Sequence, residues 1–289
     1  MENCSKEINL DITYKCTLQC AGCNRQDHDY TIVKNEITVE EFQKVLDKFD
    51  KIMFCGGQSD PIFHTNFITF LKMCFDQNKK AVVHTAASHK KKEWYNQAFD
   101  ANPKAEWKFG IDGLPEDSHK YRKNQDGKYL FERMLDAHKK GLDVEWQYII
   151  FDYNEDTQLD AYKLAVDNGI RLQLLESNTD VDGNNIKLEY DYSSQVKPRC
   201  LNETTPKYYE AGGNILPCCW LDSHKDEVKE LFDDSLKLNK NTVDEIINSD
   251  IWKKFNDKIK SDPYEICRKR CGINHNQQDA KMKRTFLNV

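Results

Sequence analysis

Six short apolar runs, each followed by a stretch of helical spacing, limit what this chain can become. The runs occupy residues 7–14, 51–55, 81–85, 105–111, 143–151 and 170–176. Between the first two, "TVEEFQKVLDKF" (38–49) opens on a capping box, Thr38 with Glu41, and keeps its apolar residues on one face. In the next helical stretch Phe67, Phe70, Leu71, Cys74 and Phe75 share a face. "KKEWYNQAF" (91–99), "YLFERMLDAHKKG" (129–141), which stops at Gly141, and "TQLDAYKLAVDNG" (157–169) complete the series. Such alternation returns each strand parallel to the last, so the expected class is α/β, with a parallel sheet forming a barrel or part of one.

After residue 176 the rhythm changes. A polar stretch (177–198) reads as a linker, and "PKYYEAGGNILPCCW" (206–220) reads as a hairpin turning at Gly212 and Gly213. A further helix begins near Thr242, whose capping partner is Glu245. Parallel barrels carry their chemistry at the C-terminal ends of the strands. The unusual residues fall there: three cysteines after the first run, "GGQSDP" after the second, "TAAS", "IDG", "DYNE" and "ES" after the others. One rim is expected to carry the site.

The bulk numbers exclude several function classes. Hydrophobic content of 39% and aromatic content of 11% support an ordered core. No apolar run approaches the roughly 18 residues of a membrane span. The start, "MENCSKEINLD", has neither the basic end nor the apolar segment of a signal peptide, so a cytoplasmic location is expected. Net charge is −6 with no sustained basic stripe, so no nucleic-acid partner is expected. "HKKKEW" (89–94), the densest basic run, reads as a solvated helix start. Eleven cysteines in a reducing compartment read as metal ligands before disulfides.

Cys16, Cys20 and Cys23 lie within eight residues. Three is odd for disulfides, and a closed zinc site needs a fourth ligand, for which His28 is at hand. Three thiolates can also hold three irons of a four-iron cluster and leave the fourth open. The spacing Cys16-x3-Cys20-x2-Cys23 resembles the signature of the radical S-adenosylmethionine (SAM) enzymes. That resemblance implies a [4Fe-4S] cluster whose open iron is chelated by SAM. It also implies an external electron donor, such as flavodoxin or ferredoxin, and a 5′-deoxyadenosyl radical that takes hydrogen from substrate. Gly22 stands where the family often has an aromatic residue, which removes a contact to the adenine.

"CGGQSDP" (55–61) resembles the family's Gly-Gly-Glu motif, which holds the methionine ammonium of SAM. Gly56 and Gly57 would let the backbone approach the ligand, and Gln58, in place of glutamate, would make a weaker, uncharged contact. By the same resemblance Asp112, in "GIDGLPEDSHKYR" (110–122), would lie near the ribose, and Asn154 would meet SAM polar groups. Both residues read equally as turn formers. Gly110 takes a place often filled by serine, and Arg122 reads as a surface ion pair before a carboxylate clamp.

Cys200, Cys218, Cys267 and Cys271 form a second constellation, which resembles the twitch domain, the shortened relative of the SPASM domain. It implies an auxiliary [4Fe-4S] cluster closed by four cysteines; Cys219 competes with Cys218, and a four-cysteine zinc site is the alternative. Cys4, Cys55 and Cys74 read as unligated, Cys55 by core packing. Taken together, the resemblance implies a radical SAM core over 1–185, a partial (β/α)6 barrel, and a twitch-like domain over 186–289.

A fully ligated second cluster suits electron transfer, so a two-electron oxidation of a small-molecule substrate is expected. Modification of a ribosomally made peptide or a nucleotide is the alternative within the family. A two-site zinc protein serving as an interaction scaffold is the alternative outside it. His84, Gln147, Tyr153 and Glu176 are the expected inward-facing candidates for proton transfer.

Overall fold

The computed structural model describes residues 6–23, 25, 36–177, 179–184, 196, 198–202, 207–271 and 285–287. Strands β1 (Glu7–Leu10), β2 (Lys51–Phe54), β3 (Lys80–Thr85), β4 (Glu106–Gly110), β5 (Asp143–Ile150) and β6 (Arg171–Glu176) run parallel and in sequence order. Helices α1 (Val39–Lys48), α2 (Phe67–Asp76), α3 (Lys92–Ala101), α4 (Gly127–Lys139) and α5 (Gln158–Asp167) fill the crossovers. All six expected strands are present. Helix α1 starts where its capping box predicts: Thr38 Oγ1 accepts from Glu41 N at 3.1 Å and Glu41 Oε2 accepts from Thr38 N at 2.8 Å. The basic run at 89–94 enters α3, with Lys91, Lys92 and Glu93 exposed as a solvated start requires.

The two faces of the sheet differ sharply. On the helix side Ile8, Leu10, Ile52, Phe54, Trp107, Phe109, Trp146 and Tyr148 are fully buried. Phe42 of α1 stacks on Phe54 and Phe70, and Phe99 of α3 meets Trp107 edge-on. Each such ring adds about 1.5–3 kcal/mol of burial. Phe75 is the exception to its expected face: it is 39% exposed at the outer edge of α2, under the Lys104 ammonium.

The concave face is polar because strand side chains alternate. Lys51 pairs with Glu7 at 2.9 Å, Lys108 with Glu145 at 2.9 Å, and Gln147 Nε2 donates to Gln173 Oε1 at 2.7 Å. A closed barrel packs this space with branched apolar chains. Here the sheet stays open, and the inner face offers charges and amides.

The C-terminal part does not stand apart from this sheet. β7 (Tyr208–Glu210) pairs parallel with β1, and β8 (Asn214–Leu216) completes the expected hairpin through Gly212 and Gly213. At the other edge β9 (Thr285–Leu287) pairs antiparallel with β6, giving the order β8-β7-β1-β2-β3-β4-β5-β6-β9. One apolar core runs through both regions, from Ile8 to Ile266. Helices α6 (Val243–Ile247), α7 (Asp250–Ser261) and α8 (Glu265–Cys271) follow the hairpin, with the capping box at Thr242 and Glu245 formed. Of the expected linker, 178, 185–195 and 197 lie outside the described residues. No described helix is long and apolar enough to cross a membrane.

Candidate functional site

The loop after β1 carries Cys16, Cys20 and Cys23 as free, half-buried thiols, turned by a Cys23 N to Cys20 O hydrogen bond of 3.2 Å. All three line one cavity of about 430 Å³ at the C-terminal ends of the strands. Gly56, Gly57, His84 and Gln147 line the same cavity. Burial, with Asp60 adding to it, pushes the Cys16 thiol up to about 12. Burial also pushes Cys20 up, against the pull of Arg122. These are thiols waiting for a positive partner, and thiolate donors suit soft iron–sulfur clusters. Among the described residues no three His, Cys, Asp or Glu converge as a single ion needs. Three thiolates are a donor set that a four-iron cluster takes, one on each of three irons. His28 and Cys4 lie outside the described residues.

The glycine turn is packed against its own chain. A Cβ on Gly56 would stand 2.5 Å from Ser59 O, and one on Gly57 would stand 2.8 Å from Asp11 Oδ2 and 3.2 Å from Tyr208 Oη. Asp11, unnoticed in the sequence, is fully buried and accepts from Gly57 N at 3.2 Å, Gln58 N at 3.1 Å and Ser59 Oγ at 3.1 Å, and from Tyr208 OH. Asp60 ties the next turn in, accepting from Thr85 Oγ1 at 3.0 Å, Ala86 N at 2.8 Å and Ala87 N at 2.9 Å. Gln58 itself is 3% exposed and does not line the cavity; its Nε2 donates to Asp222 Oδ2 at 2.5 Å.

Asp112 and Asn154 act as braces. Asp112, fully buried and off the cavity, accepts from Ile149 N at 2.9 Å and pairs with Arg122 Nε at 2.7 Å. Arg122 therefore corrects the surface-ion-pair expectation: it is largely buried and forms part of the cavity wall. Asn154 Oδ1 accepts from Phe151 N at 2.8 Å and its Nδ2 donates to Ile149 O at 3.0 Å, so its amide is spent on the turn. Tyr121 lines the cavity beside the cysteine loop. Its ring lies 4.2 Å from that of Phe151, and its Oη would stand 3.0 Å from a Cβ on Gly22.

The proton-transfer candidates divide. His84 and Gln147 line the cavity. Burial first, and Lys108 next, hold the His84 imidazole down to about 4, and its Nε2 has no hydrogen-bond partner among the described residues. Tyr153 does not line the cavity, and its hydroxyl donates to Asp112 O at 2.7 Å. Glu176 is exposed and corrects the inward expectation. It pairs with Ile150, one residue out of phase with Gln147 and Ile149, and alternation turns it to the opposite face.

The second cysteine set gathers in the C-terminal part. Burial pushes the Cys218 thiol well up, with Cys219, Cys200 and Cys267 adding. Burial likewise pushes Cys267 up to about 12, with Cys200 and Cys271 adding. The four expected cysteines are thus electrostatic neighbours. Cys219 answers to other groups: after burial, Asp11 and Asp222 raise it. Cys55 packs against the core as expected and also lines the cavity; burial, then Asp11 and Cys219, raise its thiol. Cys74 is buried on α2 as expected.

No protein-family model and no curated protein matches the chain. Solved structures do. Streptococcus suis SuiB bound to S-adenosylmethionine superposes with a TM-score of 0.61 at 12% identity, over 95% of this chain and 74% of that one. SuiB bound to precursor peptide SuiA gives 0.61 at 11% identity, over 98% and 74%. Native anSMEcpe with bound AdoMet and Cp18Cys peptide gives 0.60 at 14% identity, over 96% and 95%. The chain shares the fold of these structures, with its first six strands in sequence order in an open parallel sheet.

Proposed function

We propose that this protein is a radical SAM enzyme that removes hydrogen from a substrate held between the sheet rim and the C-terminal region. The observation that carries the reading is the meeting of three free thiols with the Gly56-Gly57 turn on one cavity wall. When bound, a [4Fe-4S] cluster with SAM supplies reductive cleavage of SAM and a 5′-deoxyadenosyl radical that takes a hydrogen atom.

The chain's own residues do the holding. Cys16, Cys20 and Cys23 would ligate the cluster. Arg122, fixed through Nε by Asp112, has its remaining N–H groups for an anionic group such as a carboxylate. Gly56 and Gly57 would let the backbone approach the ligand's ammonium end, with Gln58 buried behind them. Tyr121 would line the cofactor cavity beside Gly22, and His84, held neutral by burial, would serve beside Gln147 as a hydrogen-bonding group.

Cys200, Cys218, Cys267 and Cys271 would hold a second [4Fe-4S] cluster, which supplies an electron acceptor when bound. That favours a two-electron oxidation, with flavodoxin or ferredoxin as the outside donor for the first cluster. A small molecule is the first substrate reading. A peptide is the second, supported by the peptide-bound structures of SuiB and anSMEcpe that superpose on nearly the whole chain.

Anaerobic purification is the test. A brown protein with about eight irons per chain, which cleaves SAM to 5′-deoxyadenosine when reduced, is expected. Cys16→Ala, Cys20→Ala or Cys23→Ala should each abolish cleavage. Colourless protein with two zincs, or cleavage unchanged in any of the three variants, overturns the reading.

A further inference from the structure

Residue 58 sits where two distant parts of the chain meet. Gln58 Nε2 donates to Asp222 Oδ2 at 2.5 Å, across a separation of 164 residues. Asp222 is 1% exposed and belongs to the 3-10 turn Cys219–His224, which follows directly on Cys218. A carboxylate only accepts, so the amide must turn its nitrogen to Asp222. Its oxygen is the end left over, and that buried Oε1 has no partner among the described residues.

The surroundings are rich in acid. Tyr208 OH bonds Asp11 and lies 3.4 Å from the same Asp222 oxygen that Gln58 uses. Lys225 Nζ reaches the other Asp222 oxygen at 3.2 Å and Glu210 at 3.7 Å. One ammonium thus faces two carboxylates, with Asp11 a third nearby. A glutamate at 58 would set another carboxylate against Asp222 at hydrogen-bond distance, where like charges are costly out of water. Asp11 holds the turn through Gly57 N, Gln58 N and Ser59 Oγ, and Asp222 holds the Gln58 side chain.

We propose that Asp222 is a positioning residue for the Gly56-Gly57-Gln58 turn, whose two glycines line the cavity, and that it requires an amide at residue 58. The inference deepens the SAM reading and rests on it for the identity of the ligand in the cavity. It reverses the sequence expectation for residue 58: the amide is not a weakened glutamate but the partner that Asp222 needs.

The test is a cycle of three proteins read in two ways, by SAM titration of the cluster-loaded form and by the unfolding midpoint of the cluster-free form. Gln58→Glu should weaken SAM binding tenfold or more and lower the midpoint. Gln58→Glu with Asp222→Asn should recover both, to within about threefold in affinity, because the acid and amide have exchanged places. A Gln58→Glu chain that fails to fold, and folds again with Asp222→Asn, supports the proposal equally. Gln58→Glu binding SAM as tightly as the parent, or a double variant that recovers neither quantity, overturns it. If the parent itself does not bind SAM, the cavity reading fails, and the midpoints alone then decide the pairing.

Discussion

At the scale of single residues, the two carboxyls that flank Tyr208 give a stability dependence on pH that can be tested. Burial, opposed by Lys225 and aided by Glu210, holds Asp222 up to about 6 against an ordinary 3.8. Burial, opposed by Tyr208 and aided by Asp222, holds Asp11 up to about 7. A carboxyl that titrates higher in the folded chain keeps its proton longer there. Its contribution is complete below the unfolded value and is lost as the pH rises through the folded one. Asp222→Asn has no such loss to suffer. In urea denaturation of the cluster-free protein the variant should therefore gain about 1–3 kcal/mol on the parent between about pH 4 and pH 7. A difference that stays flat or shrinks with rising pH would sink the assignment. The three clustered cysteines were legible in the sequence because eight neighbouring residues contain their whole spacing. Asp11, Asp222 and Arg122 were not, because their roles come from contacts across 47, 164 and 10 residues that no local pattern records.

At the scale of elements, two glycines separate backbone strain from crowding. Gly141 ends α4 at φ +84, and a Cβ there would meet nothing within 4 Å. Gly141→Ala should cost about 1–2 kcal/mol by left-handed strain alone and leave SAM affinity unchanged. Gly57 has no positive φ, yet its Cβ would stand 2.8 Å from the Asp11 carboxylate. Gly57→Ala should displace the turn and weaken SAM binding tenfold or more, as read by the same titration. Equal effects of the two substitutions on SAM affinity would show that the turn is not part of the cofactor wall. Strands β1 to β6 and the helices between them were legible because alternation and 3.6-residue spacing are local signals. The parallel pairing of β7 with β1, and β9 as an edge strand, were not: three-residue strands carry almost no period, and their partners lie far away in sequence.

At the scale of the whole molecule, the sheet joins what the sequence divided. A boundary at residue 185 falls between two regions that share strand pairing, a core and the Gln58–Asp222 contact. This connection fixes what should happen when the second cysteine set is broken. Cys267 and Cys271 lie on α8, whose start is also held by Ile266 N donating to Glu227 Oε2 at 3.2 Å. Cys267→Ala with Cys271→Ala should remove about four irons and their absorbance, because two thiolates cannot close a four-iron cluster. Metal binding and folding are coupled in cysteine-rich segments, so some loss of C-terminal helix signal should accompany it. The β7–β1 pairing uses no thiolate, so the turn at Gly56 and Gly57 should keep its shape and the first cluster its irons. Cleavage of SAM without substrate should then survive, while turnover of the true substrate fails for want of an electron acceptor. Iron content, circular dichroism and 5′-deoxyadenosine release measured on one preparation separate the outcomes. Zinc lost in place of iron would make the second set structural. Cleavage lost together with the first cluster's irons would mean that the C-terminal region holds the cofactor cavity through its cysteines and not through the sheet.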